Sequence, residues 1–114
     1  MHELSIAQAL VEQVEAVRCS HPGRGVVSVG LRIGSWRLVV PESLDFYYTL
    51  LTRDTPLDGS RLQMETVEAR GLCPNCGEVF PVEAPLIICP LCGSLGGDLV
   101  AGQELDLVSV ELTD

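Results

Sequence analysis

The sequence predicts an α/β protein: a small three-stranded sheet packed with two helices, plus a four-cysteine lobe inserted between two of its strands. Three observations carry that reading. Two stretches, 4–18 and 41–51, place apolar residues at helical spacing; three others, near 27–34, 61–69 and 104–112, carry strand-like alternation. Two Cys-x-x-Cys pairs then fall together between the second and third of those strands.

The first helix buries a stripe of Leu4, Ala7, Leu10, Val11, Val14 and Val17, with Gln8, Glu12, Glu15 and Arg18 on its other side. Ser5 and Gln8 have the spacing of a capping box, and Arg18 lies at the end that the helix dipole favours for a cation. His21-Pro22-Gly23 stops the helix. Val27, Val29, Leu31 and Ile33 alternate with Ser28, Gly30 and Arg32 and form the first strand, running to Gly34. After Ser35 and Trp36, which is expected to pack over the sheet edge, Val40-Pro41-Glu42-Ser43 opens the second helix with Pro in its first turn. Leu44, Tyr47, Tyr48 and Leu51 are its inward residues. Thr52–Ser60 is turn-rich loop, and Arg61–Ala69 is a strand with Leu62, Met64 and Thr66 inward. Gly93–Gly102 is expected to be small and flexible. Glu104–Leu112 returns as a strand whose alternation slips between Leu107 and Val108, the mark of a bulge. The expected division is a discontinuous α/β domain of residues 1–70 and 103–114, and a metal-binding domain of residues 71–102 with hinge segments at Arg70-Gly71 and Gly96-Gly97.

The inserted lobe carries the sharpest chemistry. Cys73-Pro74-Asn75-Cys76 and Cys89-Pro90-Leu91-Cys92 are separated by twelve residues, and each is capped by a glycine, Gly77 and Gly93. Two residues between thiolates let one turn aim both sulfurs at a single ion, with Pro setting φ and Gly tolerating the conformation needed just after the turn. Two such turns make a closed tetrahedron, zinc-ribbon-like, whose role is structural because no coordination position is left for substrate. Zinc is the expected metal; iron suits the same four sulfurs, and the turn also resembles that of rubredoxin. The paired spacing points to metal rather than disulfides.

Charge narrows the function. The formal net charge is −9, with seven arginines and no lysine, so phosphate backbones are repelled and nucleic-acid binding is disfavoured. Apolar runs are too short for a membrane span, and the first residues lack the basic and apolar regions of a signal peptide; a soluble cytoplasmic protein is expected. No Ser-His-Asp set, phosphate loop or open-coordinated zinc is present, so a binding protein is expected rather than an enzyme. Cys19 and His21, two apart near a helix end, read as an idle thiol beside a loop histidine, and the acidic residues Glu42, Asp45, Asp54 and Asp58 as a solvated face.

The opening residues, Met1-His2-Glu3, offer a second metal site. The terminal amine of Met1, the main-chain nitrogen of His2 and its imidazole Nδ1 can close a five-membered and a six-membered chelate ring around one ion. Nitrogen donors in a plane favour copper(II) or nickel(II), with copper ahead in intrinsic affinity. Met1 should persist, because the residue after it is large. Glu3, through its main-chain nitrogen or its carboxylate, is the nearest source of a fourth donor. Alone, a histidine near a terminus is more often simply solvated.

With these residues in place the chain resembles the HypA/HybF hydrogenase maturation factors, nickel metallochaperones, along essentially its whole length. The resemblance rests on Met1-His2-Glu3-Leu4-Ser5-Ile6, on Val40-Pro41-Glu42-Ser43-Leu44, and on the Cys73, Cys76, Cys89, Cys92 quartet with its glycines. It implies that His2, with Glu3 beside it, binds Ni(II), that the quartet binds structural Zn(II), and that nickel goes to the large subunit of [NiFe]-hydrogenase. It also implies work with a nickel-handling GTPase and, in some bacteria, with accessory proteins of urease. An imidazole from the zinc lobe cannot join the nickel here, since no His follows His21. Two other classes share parts of the pattern: a zinc-ribbon adaptor for protein partners, and a rubredoxin-like iron redox protein.

Overall fold

A computed structural model describes residues 2–83 and 86–114, the side chain of His2 excepted. The order is α1 (His2–Cys19), β1 (Val26–Gly34), a 3-10 turn (Ser35–Arg37), α2 (Pro41–Thr52), β2 (Arg61–Val67), β3 (Arg70–Leu72), β4 (Val79–Pro81), β5 (Asp98–Ala101) and β6 (Leu105–Leu112). The two helices and the sheet ordered β2-β1-β6 are the predicted α/β layer. A second three-stranded sheet, ordered β4-β3-β5, carries the cysteine lobe.

The chain folds as two compact units. One contains residues up to Leu31, Val39–Met64 and Leu107–Asp114; the other contains Arg32–Leu38 and Glu65–Asp106. In the first unit α1 lies along α2, burying Ala7, Leu10 and Val14 from one helix and Leu44, Tyr48 and Thr52 from the other. Burying a large apolar side chain contributes about 1.5–3 kcal/mol, so Leu44 and Tyr48, both fully enclosed, anchor this pair. The Tyr48 hydroxyl pairs with Ser60 Oγ at 2.7 Å, and Ser60 Oγ donates to the Leu57 carbonyl at 2.6 Å, so the loop after α2 is tied to the helix.

Several expectations change. α1 begins at His2, so Ser5 lies within the helix and is not its cap. Leu4 is exposed, whereas Ile6 is half-buried. In β1, Val29, Leu31 and Ile33 are buried as expected, yet Val26 and Ser28 on the opposite face are buried too and Val27 is exposed. β1 is the central strand, paired along both edges, and Ser28 Oγ donates to Glu111 Oε1 at 2.9 Å. β2 ends at Val67, with Val67 half-buried and Thr66 exposed. In β6 the alternation slips as expected: Leu105 and Leu107 are half-buried in one half and Val110 and Leu112 in the other, while Val108, which the sequence could also place inward, is exposed with Ser109 between them.

The lobe contains more strand than its glycines suggest. Arg70-Gly71, read as a hinge, lies in the central strand of the second sheet, paired with both neighbours. Gly71 is there for space: a Cβ would sit 3.1–3.2 Å from Ile87, Phe80 and Val82. The stretch expected to be flexible, Gly93–Gly102, contains β5. Ala69, Cys73, Phe80, Val82 and Cys89 form the lobe's core, with Trp36, Ile87 and Leu99 packed against it, so Trp36 serves packing, but on the lobe's core where the sheet edge was expected.

Candidate metal centre

The two cysteine turns are built alike, hydrogen bond for hydrogen bond. Gly77 N–H donates to Cys73 O at 2.9 Å, and Cys73 N–H to Glu78 O at 3.0 Å. In the second turn Gly93 N–H donates to Cys89 O at 2.9 Å, and Cys89 N–H to Ser94 O at 3.0 Å. Gly77 and Gly93 have φ of 73° and 75°, with nothing near an added Cβ, so glycine is needed for its backbone and not for space.

These turns bring four sulfurs together. Cys73 and Cys92 Sγ are 3.5 Å apart, Cys76 and Cys89 Sγ 3.6 Å, and all four lie within 4.8 Å of one another. A tetrahedron with metal–sulfur bonds of about 2.3 Å has edges of about 3.8 Å, so the four sulfurs are placed to close on one such ion. Cys73 and Cys89 are buried in the lobe core, while Cys76 and Cys92 close the quartet from its solvent-exposed side.

The electrostatics suit a cation. Main-chain N–H groups of Cys76 and Asn75 hold the Cys73 thiol below its ordinary value. The Ser94 hydroxyl and main-chain N–H pull Cys92 down to about 6. The Glu78 N–H pulls on Cys76 in the same sense, but the adjoining Cys73 and Cys89 sulfurs outweigh it and push Cys76 up to about 12. Thiolates this close repel one another, and a metal ion would supply the positive charge that lets them form together. Ser94 and Asn75 went unrecognised in the sequence. Asn75 Nδ2 donates to Ser94 Oγ, joining the two turns, and Ser94 Oγ is 3.2 Å from Cys92 Sγ. The signal was the repeat itself, which makes Ser94 the counterpart of Glu78.

At the other candidate site, Met1 and the imidazole of His2 lie outside the described residues. The main chain of His2 begins α1, where the first N–H groups of a helix have no carbonyl partner within it. Glu3 Oε2 accepts the Val40 N–H at 3.0 Å, at the cap position of α2. A carboxylate there is favoured by the helix dipole and secures the first turn of α1 to the start of α2. Among the described residues, the cysteine quartet is the one group of three or more potential ligands. His21 Nδ1 is 2.9 Å from the Val17 carbonyl, and Cys19 is exposed beside Arg18 and Glu15.

No helix among the described residues is long and apolar enough to cross a membrane. Residues 1–112 match the family described as hydrogenase/urease nickel incorporation, metallochaperone, HypA. The hydrogenase maturation factor HypA of Geobacter metallireducens is 44% identical over 112 residues, covering 98% of this chain and 99% of that protein. The factor of the same name from Nitrosospira multiformis is 43% identical over 112 residues, covering 98% and 97%. The solution structure of the Ni metallochaperone HypA from Helicobacter pylori matches with a TM-score of 0.67 at 19% identity, over 96% of each chain. A solution structure of HypA protein matches with a TM-score of 0.70 at 19% identity, over 99% of this chain and 97% of that one. Likeness at that identity speaks for the fold; the sequence relatives and the family match extend it to lineage. The chain therefore belongs to the HypA family of nickel metallochaperones for hydrogenase and urease maturation.

Proposed function

We propose that the protein binds Ni(II) at its amino terminus and delivers it to [NiFe]-hydrogenase, acting in the cytoplasm as a carrier and not as an enzyme. The observation that carries this reading is the family match, which begins at residue 1 and so includes the Met1-His2-Glu3 opening. The nickel donors are the Met1 amine, the His2 main-chain nitrogen, the His2 imidazole and, as the nearest fourth, Glu3 through its main-chain nitrogen or its carboxylate. The structure gives the Glu3 carboxylate a partner at Val40, which favours a holding role for that side chain. Cys73, Cys76, Cys89 and Cys92 hold Zn(II), which supplies the charge that keeps four thiolates together and gives the lobe its fold. The partners are a nickel-handling maturation GTPase and the hydrogenase large subunit, with urease accessory proteins as an additional recipient system in hosts that have them.

A terminal site with few side-chain donors suits a carrier, because the ion can pass to a better-furnished acceptor. The test is metal analysis of purified protein and then nickel titration of wild type and His2→Ala. Zinc near one equivalent in both, with nickel uptake lost in the variant, is the expected result. Nickel bound equally by His2→Ala would refute the site and leave a zinc-ribbon adaptor; a red, iron-containing protein would point to the redox class.

A further inference from the structure

The second cysteine turn carries aliphatic side chains outward as well as sulfurs inward. Leu86, Ile88, Leu91 and Leu95 are 56%, 47%, 73% and 72% exposed. Their placement comes from the local backbone. Ile87 points into the lobe core, so Leu86 and Ile88 on either side of it face out. Ile88 and Leu95 are partners in an antiparallel bridge, which sets their side chains next to each other on one face. Leu91 occupies the tip of the turn, between Cys89 and Cys92. Four large aliphatic residues within ten positions make a patch of a kind that soluble proteins reserve for contact.

The charge around the patch says what kind of contact. In the unit that carries the patch, Arg32–Leu38 and Glu65–Asp106, seven acidic residues stand against three arginines, and residues 84–97 carry no charged side chain other than the cysteines. Zinc(II) on four thiolates adds two further negative charges, with Cys76 and Cys92 on the quartet's solvent-exposed side. A second copy of this chain brings the same sign and is repelled. An apolar centre in a negative surround is complementary to an aliphatic segment flanked by cations.

We propose that the face formed by Leu86, Ile88, Leu91 and Leu95 docks a cationic, aliphatic segment of a partner protein. The proposal rests on the reading of the quartet as a zinc site, and places partner recognition on the lobe that does not carry the nickel donors. It gives the zinc a further purpose: without the metal the turn that presents Leu91 and Leu95 has no fixed shape.

The test uses the zinc-loaded, full-length protein and two short synthetic peptides, one of leucine, alanine and arginine and the other with glutamate in place of arginine. Backbone amide shifts on adding the arginine peptide should centre on residues 86–95, and the glutamate peptide should not bind. Leu91→Ser/Leu95→Ser should weaken the arginine peptide about tenfold or more, as loss of anchor residues does, with zinc content and nickel affinity unchanged. Unchanged nickel affinity separates this proposal from the nickel reading, which can fail independently. If the double variant loses zinc, Leu91→Lys, at the exposed tip, should weaken the same peptide by charge and by loss of packing. Equal binding by either zinc-retaining variant, equal binding of the glutamate peptide, shifts centred on the exposed Phe46 and Leu50 of α2, or sedimentation showing a dimer that Leu91→Ser/Leu95→Ser abolishes would each overturn the proposal.

Discussion

Gly77 and Gly93 hold the left-handed conformation with open space around them, so replacing either by alanine strains the backbone and touches nothing. Each Gly→Ala change should cost about 1–2 kcal/mol. It should appear as a lower melting temperature and weaker zinc retention against a competing chelator; an unchanged melting curve would show that the turns can be built another way. Glu3 makes a comparable local contribution. Glu3→Ala removes the acceptor for Val40 N–H and should destabilise the helix pair by about 0.5–1.5 kcal/mol in urea unfolding, while Glu3→Gln, which keeps an oxygen there, should recover most of the loss. If Gln behaves as Ala does, the negative charge rather than the hydrogen bond is what α2 requires.

At the scale of elements, periodicity made both helices and the three strands of the first sheet legible, because long amphipathic stretches bury one face. The short strands β3, β4 and β5 were not legible. Three or four residues are too few to show a period, and Arg70-Gly71 and the run from Gly93 to Gly102 look like linker until the metal turns fold them together. The quartet was readable from spacing alone, whereas Ser94 and Asn75 matter only once the turns face each other. The two buried positions of β1 that break its alternation, Val26 and Ser28, reflect its central place in the sheet, a fact of topology that no single strand records. At the amino terminus of α1 the positive end of the helix dipole opposes a bound cation by about 0.3–1 kcal/mol, which favours release over retention. Protons compete there as well. Donors with reference pKa values of about 6.5 for imidazole and 7.7–8.0 for the amine must be unprotonated to bind, so nickel affinity should fall steadily as pH drops from about 8 to 6. A flat pH dependence would mean that other groups bind the ion.

For the whole molecule, the cysteine lobe and the helical unit should respond separately to metal. Trp36, the single tryptophan, packs on the core that contains Cys73 and Cys89, so its emission reports on the lobe. Stripping zinc, or Cys73→Ala, should red-shift Trp36 and broaden amide signals of residues 70–101, since metal binding in small cysteine lobes is worth about 10–16 kcal/mol in model peptides. Signals of α1 and α2 should persist; collapse of all signals together would show one cooperative fold. The central claim, that the Met1 amine is part of the nickel site, is tested most directly by calorimetry on two zinc-loaded proteins. One begins at Met1, and the other carries two extra residues before it. Nickel should bind the first and give little or no heat with the second, whose terminal amine no longer closes the five-membered ring. Equal heats and affinities from both would contradict the account.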